Sequence, residues 1–148
     1  MDEAEETKTV SDWIIIARAK DGVHPHEFGV FVRSEAQLDR ARDAVMKAGI
    51  PFKVLDENVE TTSGKVSIGT MHLAEGLEFR AVAVMACDDD IIPLRERIET
   101  VGEDADLREV YDTEQHLLYV ACTRARDFLL VTGIDPVSEF LEDIEKGP

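Results

Sequence analysis

Short apolar runs separated by amphipathic segments of helix length constrain the fold of this chain more than any other feature. Strands buried on both faces of a sheet have nearly continuous apolar sequences, and five segments fit that description. The predicted strands are Phe28–Arg33, Pro51–Leu55, Lys65–Thr70, Ala81–Cys87 and Phe128–Thr132. Because helical patterns alternate with them, the sequence predicts an α/β fold with a parallel, doubly wound sheet and helices on both faces.

Four segments between and around these runs have apolar residues at helical spacing. The predicted helices are Asp12–Asp21, Ser34–Ala48, Asp106–Arg126 and Val137–Ile144. Ser11 and Ser34 stand where a hydroxyl can cap the first two helices. Ile14 and Ile15 leave a strand open as the alternative for the first of them. Residues 1–9 are expected to form a flexible, charged tail.

Length and charge limit what the chain does alone. Its 148 residues suit one domain, predicted to span residues 10–145. Sixteen basic residues against 32 acidic ones leave a net charge of -16. Phosphate contacts supply much of the affinity of nucleic-acid binders, so this chain is not expected to bind DNA tightly alone. It either has no role on DNA or adds a few contacts beside a basic partner, and the charge could also serve solubility alone.

Cysteine usage and hydropathy indicate the cellular compartment in which the protein is expected. Cys87 and Cys122 are far apart in the sequence and, with the four histidines, show no metal-ligand spacing. This predicts reduced thiols, a cytoplasmic location and no metal bound by this chain. No apolar run approaches the roughly 20 residues of a membrane span, and the acidic N-terminus does not resemble a signal peptide. No membrane partner is therefore expected.

Chemically distinctive residues follow three of the predicted strands. They are Arg33, then Thr70 and His72 with Gly76 and Glu78 close behind, and Asp88–Asp90. The carboxyl ends of parallel strands share one edge of a sheet, where ligands bind, so we expect these groups to lie along that edge. Each residue also has an ordinary explanation by itself, as a surface charge, a loop histidine, a turn cap or a glycine with positive φ.

Arg124 continues the apolar stripe of the long predicted helix. It lies seven residues after Leu117 and three after Ala121. An arginine on the buried side of a helix needs an anion, and the neighbouring residues one turn back provide none. Spacing alone favours a distant carboxylate over a phosphate as that partner.

The run AVAVMACDDD at residues 81–90 has the appearance of a Walker B strand, whose acids hold Mg²⁺. Walker B acts beside a Walker A loop, GxxxxGK[ST], that cradles the phosphates. This chain has no such loop, because the SGKV sequence at Ser63–Val66 lacks the upstream glycine. A solvated turn is therefore expected at Asp88–Asp90 rather than a magnesium site.

Three longer segments together resemble the sequence motifs of UvrD-type superfamily 1 DNA helicases. TMHLAEGLEF at residues 70–79 resembles motif V, TxHxAKGLEF, and EQHLLYVACTRARDFLLV at residues 114–131 resembles motif VI, EERRLLYVAxTRAxxxL. GVFVRSEAQ at residues 29–37 resembles motif IV, and the three segments occur in the family's order. The resemblance implies a RecA-like, P-loop NTPase fold and identifies the chain as the second, C-terminal motor domain of such a helicase.

The resemblance also implies where ATP binds. ATP and Mg²⁺ would be held mainly by an N-terminal helicase domain of the same parent chain, absent here, and would face this domain across a cleft. Arg33 matches the motif IV arginine that contacts the γ-phosphate, and Arg124 matches the arginine finger of motif VI. Both would be catalytic. Gly76 and Glu78 match the nucleotide side of motif V.

Thr70 and His72 match positions of motif V on the single-stranded DNA side. The implied activity is that of an ATP-dependent DNA helicase, an ATP hydrolase that couples hydrolysis to translocation, with this fragment inactive alone. Four residues depart from the motifs: Glu75 replaces the motif V lysine, Gln115 and His116 replace two motif VI arginines, and Val32 stands where motif IV often has an aromatic residue.

Two other functions remain open. The parent could be a subunit of an ATP-dependent helicase–nuclease, with its nuclease domain elsewhere, or the chain could be an acidic interaction module that has lost the motor. Only about thirty residues separate Ala36 from Val66. That is too short for the large subdomain inserted there in UvrD, and RecD-type helicases also lack it.

Overall fold

A single five-stranded sheet forms the centre of the computed structural model, which describes residues 1–102 and 104–145. Every neighbouring pair of strands is parallel, which confirms the predicted parallel sheet. The strands are β1 (Phe28–Val32), β2 (Phe52–Val54), β3 (Val66–Thr70), β4 (Phe79–Val84) and β5 (Ala125–Val131). Their order across the sheet is β2-β3-β1-β4-β5.

Helices cover both faces of this sheet. They are α1 (Glu3–Asp21), α2 (Leu38–Lys47), α3 (Arg95–Glu99), α4 (Asp104–Thr123) and α5 (Phe140–Glu145). Helices α1 and α2 pack on one face, where Ile14 and Ala41 meet Val30 in one apolar cluster. Helix α4 packs on the other, where Leu118 meets Phe31 in a second cluster. Among the described residues, no helix is long and apolar enough to cross a membrane.

The first helix begins much earlier than the sequence predicted. Residues 3–9 belong to α1, so the expectation of a flexible tail over residues 1–9 is wrong. The cause is a capping box: Asp2 accepts a bond of 2.8 Å from the backbone N–H of Glu5, and Glu5 accepts one of 3.2 Å from that of Asp2. Ser11, the expected cap, lies buried inside the helix.

The buried face of α1 also differs from the prediction. The helical spacing of Trp13, Ile16 and Ala17 predicts that these residues form the inner face, but Ile16 is 51% exposed, and Ile14 is buried instead. Glu6, Val10 and Ile14 are spaced four residues apart, so they form one stripe on the helix. Because the first residue of the stripe is an acid, the sequence pattern does not show that this face of the helix is the apolar one.

Several helix and strand boundaries differ from the predicted ones, and one of these differences affects the candidate site. Helix α4 ends at Thr123 and β5 begins at Ala125, so Arg124 lies between the two elements rather than on the helix. Ser34 makes no capping bond and precedes a 3-10 turn before α2. Helix α3 lies in the charged stretch between Asp90 and Asp106, for which the sequence predicts a long connection.

Candidate functional site

The residues singled out in the sequence lie at two edges of the sheet. Val32 pairs with Thr70 at the carboxyl ends of β1 and β3, so Arg33 emerges at that edge. Phe79 pairs with Ala125 at the amino ends of β4 and β5. Glu78 and Arg124, which precede these two residues, therefore lie at the opposite edge. The strand ends and the helix stripe predict Arg33, His72, Glu78 and Arg124 along one edge. That expectation is wrong, because the segment 71–78 returns from the end of one strand to the beginning of the next.

Arg33 is held by a fully buried carboxylate. Its Nε donates to Oε1 of Glu114 over 2.8 Å, and its Nη2 donates to Oε2 over 2.7 Å. Arg33 is 4% exposed and Glu114 is 0% exposed. Two-point pairs of this kind are among the stronger hydrogen-bonded contacts in proteins. Arg33 is thus a member of a buried salt bridge, the ordinary alternative to a nucleotide contact.

Glu114 takes two further hydrogen bonds. The backbone N–H of Leu94 donates to it over 2.7 Å, and Nη1 of Arg97 donates over 2.8 Å. Burial by itself would raise the pKa of the Glu114 carboxyl, but the bonds from Arg33, Leu94 and Arg97 outweigh burial and hold that pKa below its ordinary value. Glu114 therefore stays ionised in the fold.

Sequence reasoning missed Glu114 as a site residue, although a signal was present. Glu114 lies three residues after Tyr111 and four before Leu118, on the apolar stripe of α4. An acid at such a position has to find a partner in the interior.

His72 touches the same arginine from the outer side. Its Nε2 lies 3.2 Å from Nη1 of Arg33. Desolvation, with the positive charge of Arg33 next, lowers the pKa of His72. A neutral imidazole nitrogen can accept a hydrogen bond from a guanidinium, which agrees with this contact. Thr70, at the end of β3, is half-buried two residues before His72.

Among the described residues, Arg124 is bound only to uncharged groups. Its Nε donates to the carbonyl oxygen of Val120 over 3.1 Å, and Nη1 donates to that of Leu77 over 3.4 Å. Its Nη2 donates to the hydroxyl of Thr123 over 3.2 Å. Within the described part of the chain, no carboxylate lies at salt-bridge distance from Arg124. The distant carboxylate that spacing alone favoured is not found there.

Gly76 and Glu78 belong to the chain segment 71–78. They flank Leu77, whose carbonyl oxygen accepts a hydrogen bond from Arg124. Gly76 has a φ of +83°, which agrees with the expected positive φ, and no atom crowds the space where its side chain would be. Backbone conformation rather than close packing therefore favours glycine there. Glu78 is exposed and follows Leu77, whose carbonyl oxygen binds Arg124.

The acidic turn after β4 is not what the sequence predicted. Asp88 is only 8% exposed and accepts hydrogen bonds from Nη1 of Arg40 over 2.8 Å and from the backbone N–H of Ile134 over 2.7 Å. The expectation of a solvated turn is wrong for Asp88, whereas Asp89 and Asp90 are exposed. The described residues contain no group of three or more histidine, cysteine or acidic side chains that could hold a metal ion.

Glu6 completes this second buried network. It accepts a bond of 2.9 Å from Nε of Arg40, one of 3.0 Å from the backbone N–H of Ala86 and one of 2.8 Å from the hydroxyl of Thr132. The network joins α1 and α2 to the chain just beyond β4 and β5. In this network the buried charged groups are paired with one another and with backbone groups, as expected of a cluster with a structural role.

Comparison with known proteins places these features in a family. A profile of the UvrD-like helicase C-terminal domain matches residues 55–135. The ATP-dependent DNA helicase UvrD1 of Mycobacterium leprae is 34% identical over 100 residues, which are 60% of this chain and 12% of that protein. The ATP-dependent DNA helicase PcrA of Staphylococcus aureus is 35% identical over 79 residues, 53% of this chain and 10% of that protein. The chain thus spans about an eighth of the length of these relatives or less.

A solved structure has the same fold. The C-terminal domain of a possible DNA helicase from Lactobacillus plantarum WCFS1 superimposes with a TM-score of 0.60 and 20% sequence identity, over 90% of this chain and 72% of that one. This likeness agrees with the RecA-like arrangement expected from the motifs. Since the family profile covers more than half of its residues, the chain belongs to the UvrD-like helicase C-terminal domain family.

Proposed function

We propose that this chain is the C-terminal motor domain of an ATP-dependent DNA helicase, and that Arg124 is its arginine finger. The observation that carries the proposal is the environment of Arg124. Its half-buried guanidinium is held by two backbone carbonyls and a hydroxyl and has no carboxylate partner within the described residues. Neutral partners hold the side chain in place without cancelling its charge.

Such an arrangement suits phosphoryl transfer. Negative charge spreads over the transferred phosphoryl group in the transition state, and an arginine positioned beforehand stabilises that charge without rearranging. Hydrogen bonds to Val120 at the end of α4 and to Leu77 in the segment before β4 position Arg124 in this way. Mg²⁺ would offset phosphate charge from the N-terminal domain, which supplies the Walker A loop that this chain lacks.

The segment 71–78 supports coupling between ATP and DNA. Near its beginning, His72 contacts Arg33, and near its end, the carbonyl oxygen of Leu77 contacts Arg124. We assign Thr70 and His72 to the single-stranded DNA side and Gly76 and Glu78 to the nucleotide side. One short segment would then contact both ligands, so a shift at one end is passed to the other.

Charge argues that DNA affinity comes mainly from the rest of the parent protein. The net charge is -16, and exposed Glu75 stands in the segment assigned to the DNA path. Carboxylates repel a phosphate backbone. This domain would therefore help to position and move the DNA strand rather than supply most of the DNA affinity. A basic N-terminal domain is the partner that these properties require.

Arg124→Ala in the full-length parent tests the proposal. ATP hydrolysis should fall by roughly a thousandfold, the scale of arginine-finger loss, while ATP binding and thermal stability change little. Arg126→Ala is the matched control, because Arg126 is exposed and lies two residues along the same chain segment. Undiminished hydrolysis in the Arg124 variant would refute the finger role.

A further inference from the structure

The two edge strands of the sheet differ in how well they are protected against pairing with another strand. Strand β2, at one edge, has only three residues, contains Lys53 and follows Pro51. Strand β5, at the other edge, has seven residues, and its stretch from Phe128 to Val131 is apolar and contains no proline. Proteins commonly protect sheet edges with short strands, lysine or proline, because an open edge pairs readily. The second half of β5 has none of these features.

The outward backbone groups of β5 can be identified from the bonds on its inner side. Just after β5, the N–H of Thr132 donates to the carbonyl oxygen of Val84 over 2.9 Å, and the carbonyl oxygen of Thr132 accepts a bond of 2.9 Å from the N–H of Cys87. Backbone groups alternate between the two sides of a strand, so those of Leu129 and Val131 face away from β4. No hydrogen bond joins them to any other residue that the structure describes.

Apolar side chains of β5 are incompletely covered on both faces of the sheet. Leu129 is 41% exposed and its apolar neighbours in the strand are half-buried, whereas residues 81–84 of the adjacent β4 are fully buried. Phe128 and Leu130 border the apolar cluster beneath α1 and α2, and Val131 borders the cluster beneath α4. A further strand beside β5 would remove this apolar surface from water, which is favourable. Such a strand would have to be apolar on both faces.

Charge and contact area indicate where that strand comes from. Each copy of this chain has a net charge of -16, so pairing with a second copy would bring two acidic domains together against their repulsion. A single added strand is also a small contact for separate proteins, whose stable interfaces bury at least roughly 1,200 Å². A strand of the same polypeptide avoids both difficulties, since tethering gives it a high effective concentration. The relatives have that additional polypeptide, because this chain spans about an eighth of their length or less.

We propose that the open edge of β5 is the docking site for an apolar strand from another part of the parent polypeptide, which adds a sixth strand to the sheet. The outward backbone groups of Leu129 and Val131 hydrogen-bond to this strand, and its side chains cover the half-buried ones of β5. The inference rests on the proposed function only in taking this chain as one domain of a longer helicase, and it involves no residue assigned to ATP or DNA.

Hydrogen–deuterium exchange at single-residue resolution tests the proposal by comparing the isolated chain with the full-length parent. The N–H of Leu129 should exchange at least about tenfold more slowly in the parent, because it gains a hydrogen bond there. The N–H of Leu130, which faces β4 in both proteins, is the internal reference. Equal exchange of Leu129 in the two proteins overturns the inference. Protection in the isolated chain that rises with its concentration also overturns it, by assigning the edge to a second copy.

Two substitutions at one position provide the matched pair of variants. Leu129→Pro removes the outward N–H, and proline is tolerated in an edge strand where that group faces solvent. Leu129→Ala shortens the same side chain and keeps the N–H. In the parent, the N–H of Val131 should lose its protection in the proline variant and retain it in the alanine variant, while Leu130 stays protected in both. Equal protection of Val131 in the two variants contradicts a docked strand.

This readout is separate from the test of the proposed function. A parent whose ATP hydrolysis depends on Arg124, but whose Leu129 exchanges as in the isolated chain, refutes the docked strand alone. A parent with a protected Leu129 whose hydrolysis survives Arg124→Ala refutes the arginine finger alone.

Discussion

Glu114 on α4 holds Arg33 at the end of β1 through two hydrogen bonds, of 2.8 and 2.7 Å, with both side chains buried. This pair joins α4, whose sequence resembles motif VI, to β1, whose sequence resembles motif IV. It orients Arg33 and also restrains it.

Replacing Glu114 with alanine should strongly destabilise the fold. The change leaves Arg33 buried without a counter-charge, and breaking a buried pair in this way costs about 3–5 kcal/mol in the free energy of unfolding. Urea denaturation of this chain measures the loss. Glu109→Ala is the control, because Glu109 is exposed on the same helix and its loss should change stability by less than about 0.5 kcal/mol. Equal losses in both variants would contradict the importance of the pair.

The contribution of Glu114 should disappear in acid. Its pKa in the folded chain lies below the ordinary value of 4.5, so the unfolded state takes up the proton first as the pH falls. The stability that this carboxylate provides is present above about pH 4.5 and is lost as the pH falls through the folded-state pKa. The free-energy difference between the wild type and Glu114→Gln should therefore shrink below that pH. Taking this difference removes the general effect of neutralising the other acids, and a constant difference would contradict the prediction.

Deleting residues 1–9 should destabilise the domain, because the deletion removes Glu6 from the network around Arg40. Glu6→Ala alone should cost about 3–5 kcal/mol, since it deprives Arg40 of one of its two carboxylate partners in the interior. Thermal melting of the variants measures both effects. Glu3→Ala is the control, because Glu3 is exposed in the first turn of the same helix. Unchanged melting after the deletion would restore the interpretation of a flexible tail.

Ser67→Ala should leave stability unchanged or raise it by about 1 kcal/mol. The hydroxyl of Ser67 is buried in β3 without a hydrogen-bond partner in the described part of the chain, and alanine removes its desolvation cost. Ser138→Ala is an instructive contrast. The buried hydroxyl of Ser138 accepts a bond of 3.2 Å from the backbone N–H of Phe140, so its loss should be destabilising by about 1 kcal/mol. Chemical denaturation compares the two, and a reversed order would show that the assignment of partners is wrong.

The isolated chain should hydrolyse no ATP and bind nucleotide weakly. It has no Walker A loop, and under the proposed function Arg124 would reach a triphosphate from one side only. Phosphate release with and without single-stranded DNA measures this, with an Arg124→Ala chain as the background control. DNA-stimulated turnover by the fragment that survives Arg124→Ala would contradict the division of labour between the two domains.

Local patterns were sufficient to predict the strands, their parallel arrangement and most of the helices. Apolar runs and helical spacing depend on neighbouring residues, because a side chain's direction follows from the period of its own element. The positive φ of Gly76 and the family itself were also accessible, since both depend on contiguous strings of residues. The predicted end of the long helix near Arg124 was less accurate, because the same residues can form either the last turn of a helix or the start of a strand.

Tertiary structure alone decided which charges meet. Arg33 and Glu114 are 81 positions apart, and Arg40 and Asp88 are 48 apart, so no local period relates them. The energy of a buried ion pair depends on distance and desolvation, and both arise only once the helices dock on the sheet. For the same reason, the sequence could mark Arg33 and Arg124 as unusual, but only the packed domain showed that one has a buried carboxylate and the other has neutral partners.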